Sequence, residues 1–228
     1  MTTRNRTLQV SSNSTTAFLF DEQFERLLDR LAKDIVDAAV FAKMREDIYS
    51  TAKEHWREFN QSPTFWSLCV QAYAEVVMYR LSRVYVSNKT ALSLERWLEA
   101  IRDNPQLFTD PADANQLRAD LASVGYRDPV VKKLIGLRGN FIAHINWDNT
   151  ADGGMKIGHR FAMSGAEIDE LISRAKDILN RYSVLFKRTH WSTNMSGNDD
   201  FRYLLKAVRA ELKRQEAEIA VQIEGANS

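Results

Sequence analysis

The chain reads as an all-α protein: a helical bundle with a core of about four or five helices and one additional C-terminal helix. Three observations predict this. Apolar residues recur at three- and four-residue spacing along most of the chain, and nothing alternates convincingly with period two. Across 228 residues there are only 9 glycines and 4 prolines, too few for the many tight turns of an all-β fold. No internal repeat and no long linker divides the chain, so one sizeable core is expected.

Residues 1–16 are rich in Thr, Ser and Asn, and the apolar patch at 17–20 is too short for a signal-peptide core. Residues 1–20 therefore read as a flexible arm ahead of a helical domain at 21–191, with a C-terminal helix at 199–222 packed on or beside it. Asp21 can cap a long first helix running to about residue 60, whose stripe is Phe24, Leu27, Leu28, Leu31, Ile35, Ala38, Met44 and Ile48. Its outer face, with Glu25, Asp29, Arg30, Lys33 and Asp34, reads as solvated surface. Ser62-Pro63 restarts the chain into a helix over 64–85 that is apolar on more than one face, which predicts a central position or contact with another subunit. A shorter helix follows over 91–102, and Asn104-Pro105 and Asp110-Pro111 bracket a loop before a helix at 112–124 that ends at Gly125.

Asp128-Pro129 is a capping carboxylate followed by a residue preset for the first helical position. Val130, Val131, Leu134, Leu137, Phe141 and Ile145 then recur at helical spacing as far as about Trp147, ahead of a polar loop in which Lys156-Ile157-Gly158 could pair as a short strand. Ser164 and Glu167 fit a capping box before the cleanest apolar periodicity in the chain, Ile168 to Phe186. The last helix, 200–220, would bury Phe201, Leu204, Leu205, Val208, Leu212 and Ile219.

Composition narrows the function. A net charge of +1 supplies no global field, so any nucleic-acid site must be local. No stretch approaches the ~20 apolar residues of a membrane span, and no membrane partner is expected. The single cysteine, Cys69, excludes an internal disulfide and fits a reducing compartment, so the expected location is cytoplasmic. Lying between Leu68 and Val70, it reads as a small core residue. His55, His144, His159 and His190 are scattered, which argues against a zinc site. Gly153-Gly154 lacks the Gly-Lys-Ser/Thr of a phosphate loop. No cofactor is expected.

Two constellations remain. Arg181, Lys187, Arg188, Arg202 and Lys206, interleaved with Tyr182, Phe186, Trp191, Phe201 and Tyr203, form a candidate RNA surface. The same pattern also describes a solvated helix face whose aromatics point inward. On the Asp128 helix, Arg138 follows Leu134 by four and falls inside the apolar arc, with Asn140 and His144 together on its flank. A guanidinium there is costly unless paired or put to use. Histidine moves protons at neutral pH, arginine braces charge on phosphorus and an amide can orient the attacking group. These residue types are equally compatible with a satisfied structural pair.

Leu137-Arg-Gly-Asn-Phe-Ile-Ala-His144, late in an all-helical chain, resembles the Arg-x(4–6)-His signature of HEPN domains. Leu81-Ser-Arg-Val-Tyr85 at the end of the second helix and Ser93-Leu94 opening the third resemble the branch of that superfamily linked to phage abortive infection, the AbiU-like proteins. The resemblance covers about residues 21–186 and implies a bundle that dimerises through the signature helix. It further implies a metal-independent endoribonuclease acting on RNA by 2′-hydroxyl attack, in an antiphage or toxin–antitoxin setting, with a nucleotidyltransferase-type or other antitoxin as partner. Carried over, His144 transfers the proton, Arg138 contacts the phosphate and Asn140 is the polar helper. Some members are non-catalytic modules that bind a nucleotide or a partner. This chain departs from the pattern at Gly139, where a polar residue is usual, and at Val86, where Asp is common.

Overall fold

Helix boundaries follow local chemistry closely in this chain. A computed structural model describes residues 21–86, 88, 90–138, 162–194, 197 and 199–226. Among these residues the helices are α1 Asp21–Ala52, α2 Trp56–Phe59, α3 Pro63–Val84, α4 Leu94–Asp103, α5 Ala114–Val124, α6 Pro129–Leu137, α7 Gly165–Lys187 and α8 Phe201–Ala226, with a 3-10 turn at Pro105–Leu107. No strand occurs among them, so the all-α expectation holds. None of these helices is long and apolar enough to cross a membrane.

Side-chain caps open four helices. Ser93 accepts from Arg96 N at 3.3 Å, and one oxygen of Asp113 accepts from Asn115 N and Gln116 N at 2.7 and 3.0 Å. Asp128 does the same for Val130 N and Val131 N at 2.9 and 3.0 Å. Ser164 and Glu167 complete the capping box, with bonds of 3.2 and 2.8 Å. Each such cap satisfies end donors that are otherwise orphaned and contributes about 1 kcal/mol. α3 starts differently: Pro63 fills the first turn, and Ser62 makes no side-chain cap bond.

The core gathers α1, α3, α4, α5, α6 and α7 around Phe24, Leu81, Trp97 and Leu134. Phe24 stacks on Trp97 with ring centroids 5.7 Å apart and meets Phe186 edge-on at 4.7 Å. Each fully buried side chain of this size stabilises the fold by roughly 1.5–3 kcal/mol. The Trp97 indole N–H is buried without an acceptor, a cost of about 1–3 kcal/mol that the surrounding aromatic packing offsets. α1 packs chiefly along α3 and then α7, and α4 lies against α5.

A second, smaller core joins Ile48, Phe59 and Leu205, flanked by Trp66 and Phe201. It attaches α8 to the bundle. The long first helix expected over 21–60 is broken: α1 stops at Ala52, a turn passes through Lys53, Glu54 and His55, and α2 begins at Trp56. No Gly or Pro marks the break. Its cause is tertiary, because the turn swings Phe59, Glu58 and His55 inward against α8.

Other expectations are corrected. Asp34, assigned to solvated surface, is 4% exposed and lies between Arg80 (2.6 Å) and Arg83 (3.1 Å) of α3. Arg80 also reaches Asp37 at 3.0 Å, so two carboxylates three apart face two guanidiniums three apart. α3 is central only in its second half. Phe65 and Leu68 are exposed, and Cys69 is half-buried rather than a core residue, because α8 covers only part of the first half. On α8 Leu205 alone is fully buried among the described residues; its neighbour Leu204 lies on another face of the helix and is exposed, and Ile219 is exposed further along. The strand at 156–158, the helix end near Trp147 and the arm at 1–20 lie outside the described residues.

Two measurements check this account. Asp34→Ala leaves Arg83 without a carboxylate and Arg80 with Asp37 alone, and urea unfolding should show a loss of about 3 kcal/mol, against less than about 0.5 for Asp29→Ala on the exposed face. The second concerns α8. A hydrogen bond from Arg209, ahead of the Coulomb attraction of that guanidinium and of His55, holds the Glu58 carboxyl below its ordinary value of 4.5. The folded value being the lower one, the stabilisation is complete above 4.5 and is lost as pH falls through the depressed value. Protonation of Glu58 then leaves Arg209 facing His55 Nδ1 at 3.0 Å without a carboxylate. Acid titration followed by Trp66 fluorescence should show α8 undocking in this range, and Glu58→Gln should flatten the transition.

Candidate functional site

α6 leads directly into Arg138, and the rest of the bundle holds its first turns firmly. Asp128 uses both carboxylate oxygens: Oδ1 caps the helix, and Oδ2 meets Arg174 of α7 at 3.0 Å. Arg174 also donates to the Ser123 carbonyl at 2.5 Å and pairs with Glu170, so one guanidinium fastens the end of α5 and the start of α6 to α7. One turn on, Lys133 pairs with Glu167 at 2.5 Å, and that bond is the largest cause holding the Glu167 carboxyl below the usual range. Val131 and Leu134 are wholly buried in the core.

Arg138 follows Leu134 by one turn and keeps helical dihedrals, φ −57° and ψ −49°, directly beyond the last residue of α6. Its side chain is half-buried, so the position expected inside the apolar arc is only partly covered by the described residues. Among the described residues no carboxylate pairs with it. Asn140 and His144 lie outside the described residues, as does Gly139. Three or more His, Cys, Asp or Glu side chains do not cluster as metal ligands anywhere among the described residues.

The run Leu81-Ser-Arg-Val-Tyr85 has structural duties. Leu81 and Val84 are core, Ser82 bonds back to the Tyr79 carbonyl at 2.8 Å, and Arg83 pairs with Asp34. The Tyr85 hydroxyl donates to the Leu171 carbonyl at 2.7 Å, tying α3 to α7, and burial pushes its pKa well up. Val86 is buried too, so this position suits an apolar side chain, and an Asp there would need a partner.

The candidate RNA-contacting cations divide into two groups. Arg181 is engaged internally: its guanidinium reaches Asp120 at 2.5 Å, and the same carboxylate accepts from the Tyr182 hydroxyl at 2.7 Å and from Gln116 Nε2 through its other oxygen at 3.0 Å. Lys187 pairs with Glu25 of α1. Arg188 is exposed in the left-handed region at φ 55°, ending α7 with a bond to the Val184 carbonyl at 2.9 Å. Arg202 and Lys206 stand one turn apart on α8, over the rings of Phe201 (5.8 Å) and Tyr203 (5.4 Å). Of the interleaved aromatics, Tyr182 is buried, Phe186, Trp191 and Phe201 are partly so, and Tyr203 is exposed.

Sequence reasoning missed the residues that position α6. Asp120, Arg174 and Glu170 were not singled out. A signal existed: Arg174 and Arg181 are two helical turns apart and meet Ser123, Asp128 and Asp120 along one face of α7. Asp128→Ala should therefore remove a cap and orphan Arg174, with a loss of about 2–4 kcal/mol in urea unfolding. Asp128→Asn retains an acceptor for the cap and should lose about half as much.

Among known proteins, a family model described as AbiU2, of the HEPN class, matches residues 21–206. No curated protein and no solved structure matches the chain significantly.

Proposed function

The chain belongs to the AbiU2 family of HEPN proteins, and we propose that it is a homodimeric, metal-independent endoribonuclease of an antiphage or toxin–antitoxin system. The observation that carries this reading is Arg138: a half-buried guanidinium at the end of a helix anchored by Asp128 and Lys133, with no carboxylate partner among the described residues. A cation in that setting is costly unless an anion completes it. The scissile phosphate of an RNA strand is such an anion.

In the proposed reaction the ribose 2′-hydroxyl attacks the adjacent phosphorus. The P–O5′ bond breaks, leaving a cyclic phosphate on one fragment and a 5′-hydroxyl on the other. His144 moves the proton, Arg138 braces the extra charge on the phosphoryl oxygens, and Asn140 orients the attacking hydroxyl. Two α6 helices facing across a dimer would supply two Arg138/His144 pairs to one cleft. A nucleotidyltransferase-type or other antitoxin is the partner this reading calls for.

A second reading, a non-catalytic HEPN dimer that binds a nucleotide or a partner protein, is favoured by Gly139, which stands where a polar residue is usual next to the signature arginine. Incubation of the purified protein with cellular RNA in EDTA separates the two. The nuclease reading expects cleavage with cyclic phosphate ends, and a loss of at least about 100-fold in His144→Ala and in Arg138→Ala. Wild-type protein that cuts nothing, or His144→Ala that cuts as well as wild type, overturns it. Expression in a host without an antitoxin should arrest growth for the nuclease and not for the binding module.

A further inference from the structure

Charge along α8 is divided. From residue 201 to 214 the helix holds Arg202, Lys206, Arg209, Lys213 and Arg214 against Glu211 alone, and from 215 to 226 it holds Glu216, Glu218 and Glu224 and no Lys or Arg. The whole chain carries a net charge of +1, so the first half of α8 is a local cationic field on a nearly neutral protein. Arg202, Lys206, Arg209 and Lys213, spaced four, three and four, fall in one row about 16 Å long. Beyond that row α8 overhangs: every residue from 215 to 226 is exposed, with Glu216 paired to Arg57 and Glu218 to Arg214.

The helix is mounted so that this row meets solvent. Leu205, wholly buried in the smaller core, anchors the side opposite Tyr203, and Glu58 and His55 fix the Arg209 guanidinium at the border. Lys206 and Lys213 are exposed, and Arg202 is half-buried. Of the acids bordering the row, Glu58 is bonded to Arg209 and Glu211 to Arg214, and the Asp200 carboxylate lies against Gly197. Tyr203 is 70% exposed, so the aromatic beside the row points outward. The Lys206 ammonium lies 5.4 Å from the Tyr203 ring centroid, and the Arg202 guanidinium 5.8 Å from that of Phe201, which packs on Trp66 at 6.1 Å.

We infer that the first half of α8 binds single-stranded RNA, with a base stacked on Tyr203 and successive phosphates on Arg202, Lys206 and Lys213. The inference rests on the reading of RNA as the substrate and adds a holding site outside the signature helix. Charge complementarity names the occupant. A polyanion with flat bases engages both the cation row and the exposed ring, and base stacking on an aromatic ring beside cations is how single strands are held. An acidic protein surface would engage the cations alone. A duplex fits less well, because its bases are stacked on one another and offer Tyr203 no face. Three neutralised phosphates on a single strand give the affinity a log–log salt slope of about −2.

The test measures fluorescence anisotropy of a fluorescein-labelled oligouridylate across a salt series in EDTA. The full-length protein carries His144→Ala in every arm, so the probe stays intact, and circular dichroism establishes that each variant is folded. Tyr203→Ala should weaken binding at least about fivefold with the salt slope unchanged, and Tyr203→Phe should bind as the parent does. Lys206→Ala and Lys213→Ala should each weaken binding and flatten the slope by about 0.7. Arg30→Ala, which removes an exposed cation on α1, should change neither. Tyr203→Ala that binds as the parent does, or Lys206→Ala with no more effect than Arg30→Ala, overturns the proposal. So does polyglutamate that displaces the probe, at equal charge, as well as unlabelled oligouridylate, which would make the row a site for an acidic partner. Wild type that cuts nothing while Tyr203 and Lys206 still govern binding refutes the nuclease and retains this site. Wild type that cuts, with binding indifferent to Tyr203 and Lys206, does the reverse.

Discussion

The position of α6 depends on one carboxylate with two tasks. Asp128 caps the helix with one oxygen and binds Arg174 with the other. A capping residue alone fixes where a helix starts but not where the helix lies. An ion pair alone fixes a distance but not a helix start. Joined in one side chain, they determine both, and the half-buried Arg174 transmits the restraint to Ser123 and to α7. α7 is thereby the common support of the bundle: Arg174 and Arg181 hold α5 and α6, Lys187 holds α1, and the Leu171 carbonyl receives Tyr85 from α3.

The same economy of partners sorts the cations. Arg80 and Arg83 are neutralised by Asp34 and Asp37, and Arg181 by Asp120, in settings dry enough that loss of one partner is severe. Arg138, Arg45 and Lys176 have no such carboxylate among the described residues. Partly buried charges left open inside an otherwise well-paired chain are where an external anion gains most, because the desolvation cost has already been met in folding.

α8 stands apart from this support. Its attachment is one buried leucine, a small aromatic cluster, the Glu58–Arg209–His55 contact and the Arg57–Glu216 pair, beside a large core that it barely touches. An element held by so little apolar contact belongs to the low-stability end of a fold, where local opening costs least.

Much of this was legible in the residues. Cap-then-proline at Asp128-Pro129, the Ser164–Glu167 box and the apolar periodicity of α7 are local signals, carried by backbone donors two or three residues away, and the structure follows them. Leu137-Arg-Gly-Asn-Phe-Ile-Ala-His144 is likewise one short run, and the family it pointed to is the one whose model matches residues 21–206. The break at residues 53–55 was not legible, because no Gly or Pro causes it and the attraction of Phe59 and Glu58 to α8 does. Nor was the burial of Asp34, whose partners lie more than forty residues on. The sequence by itself determined helix type and most helix starts, since those rest on contacts within a turn or two. Only the tertiary structure decided which charges are neutralised, which half of α3 is covered and where α8 overhangs, since each of these depends on which helix comes to lie opposite.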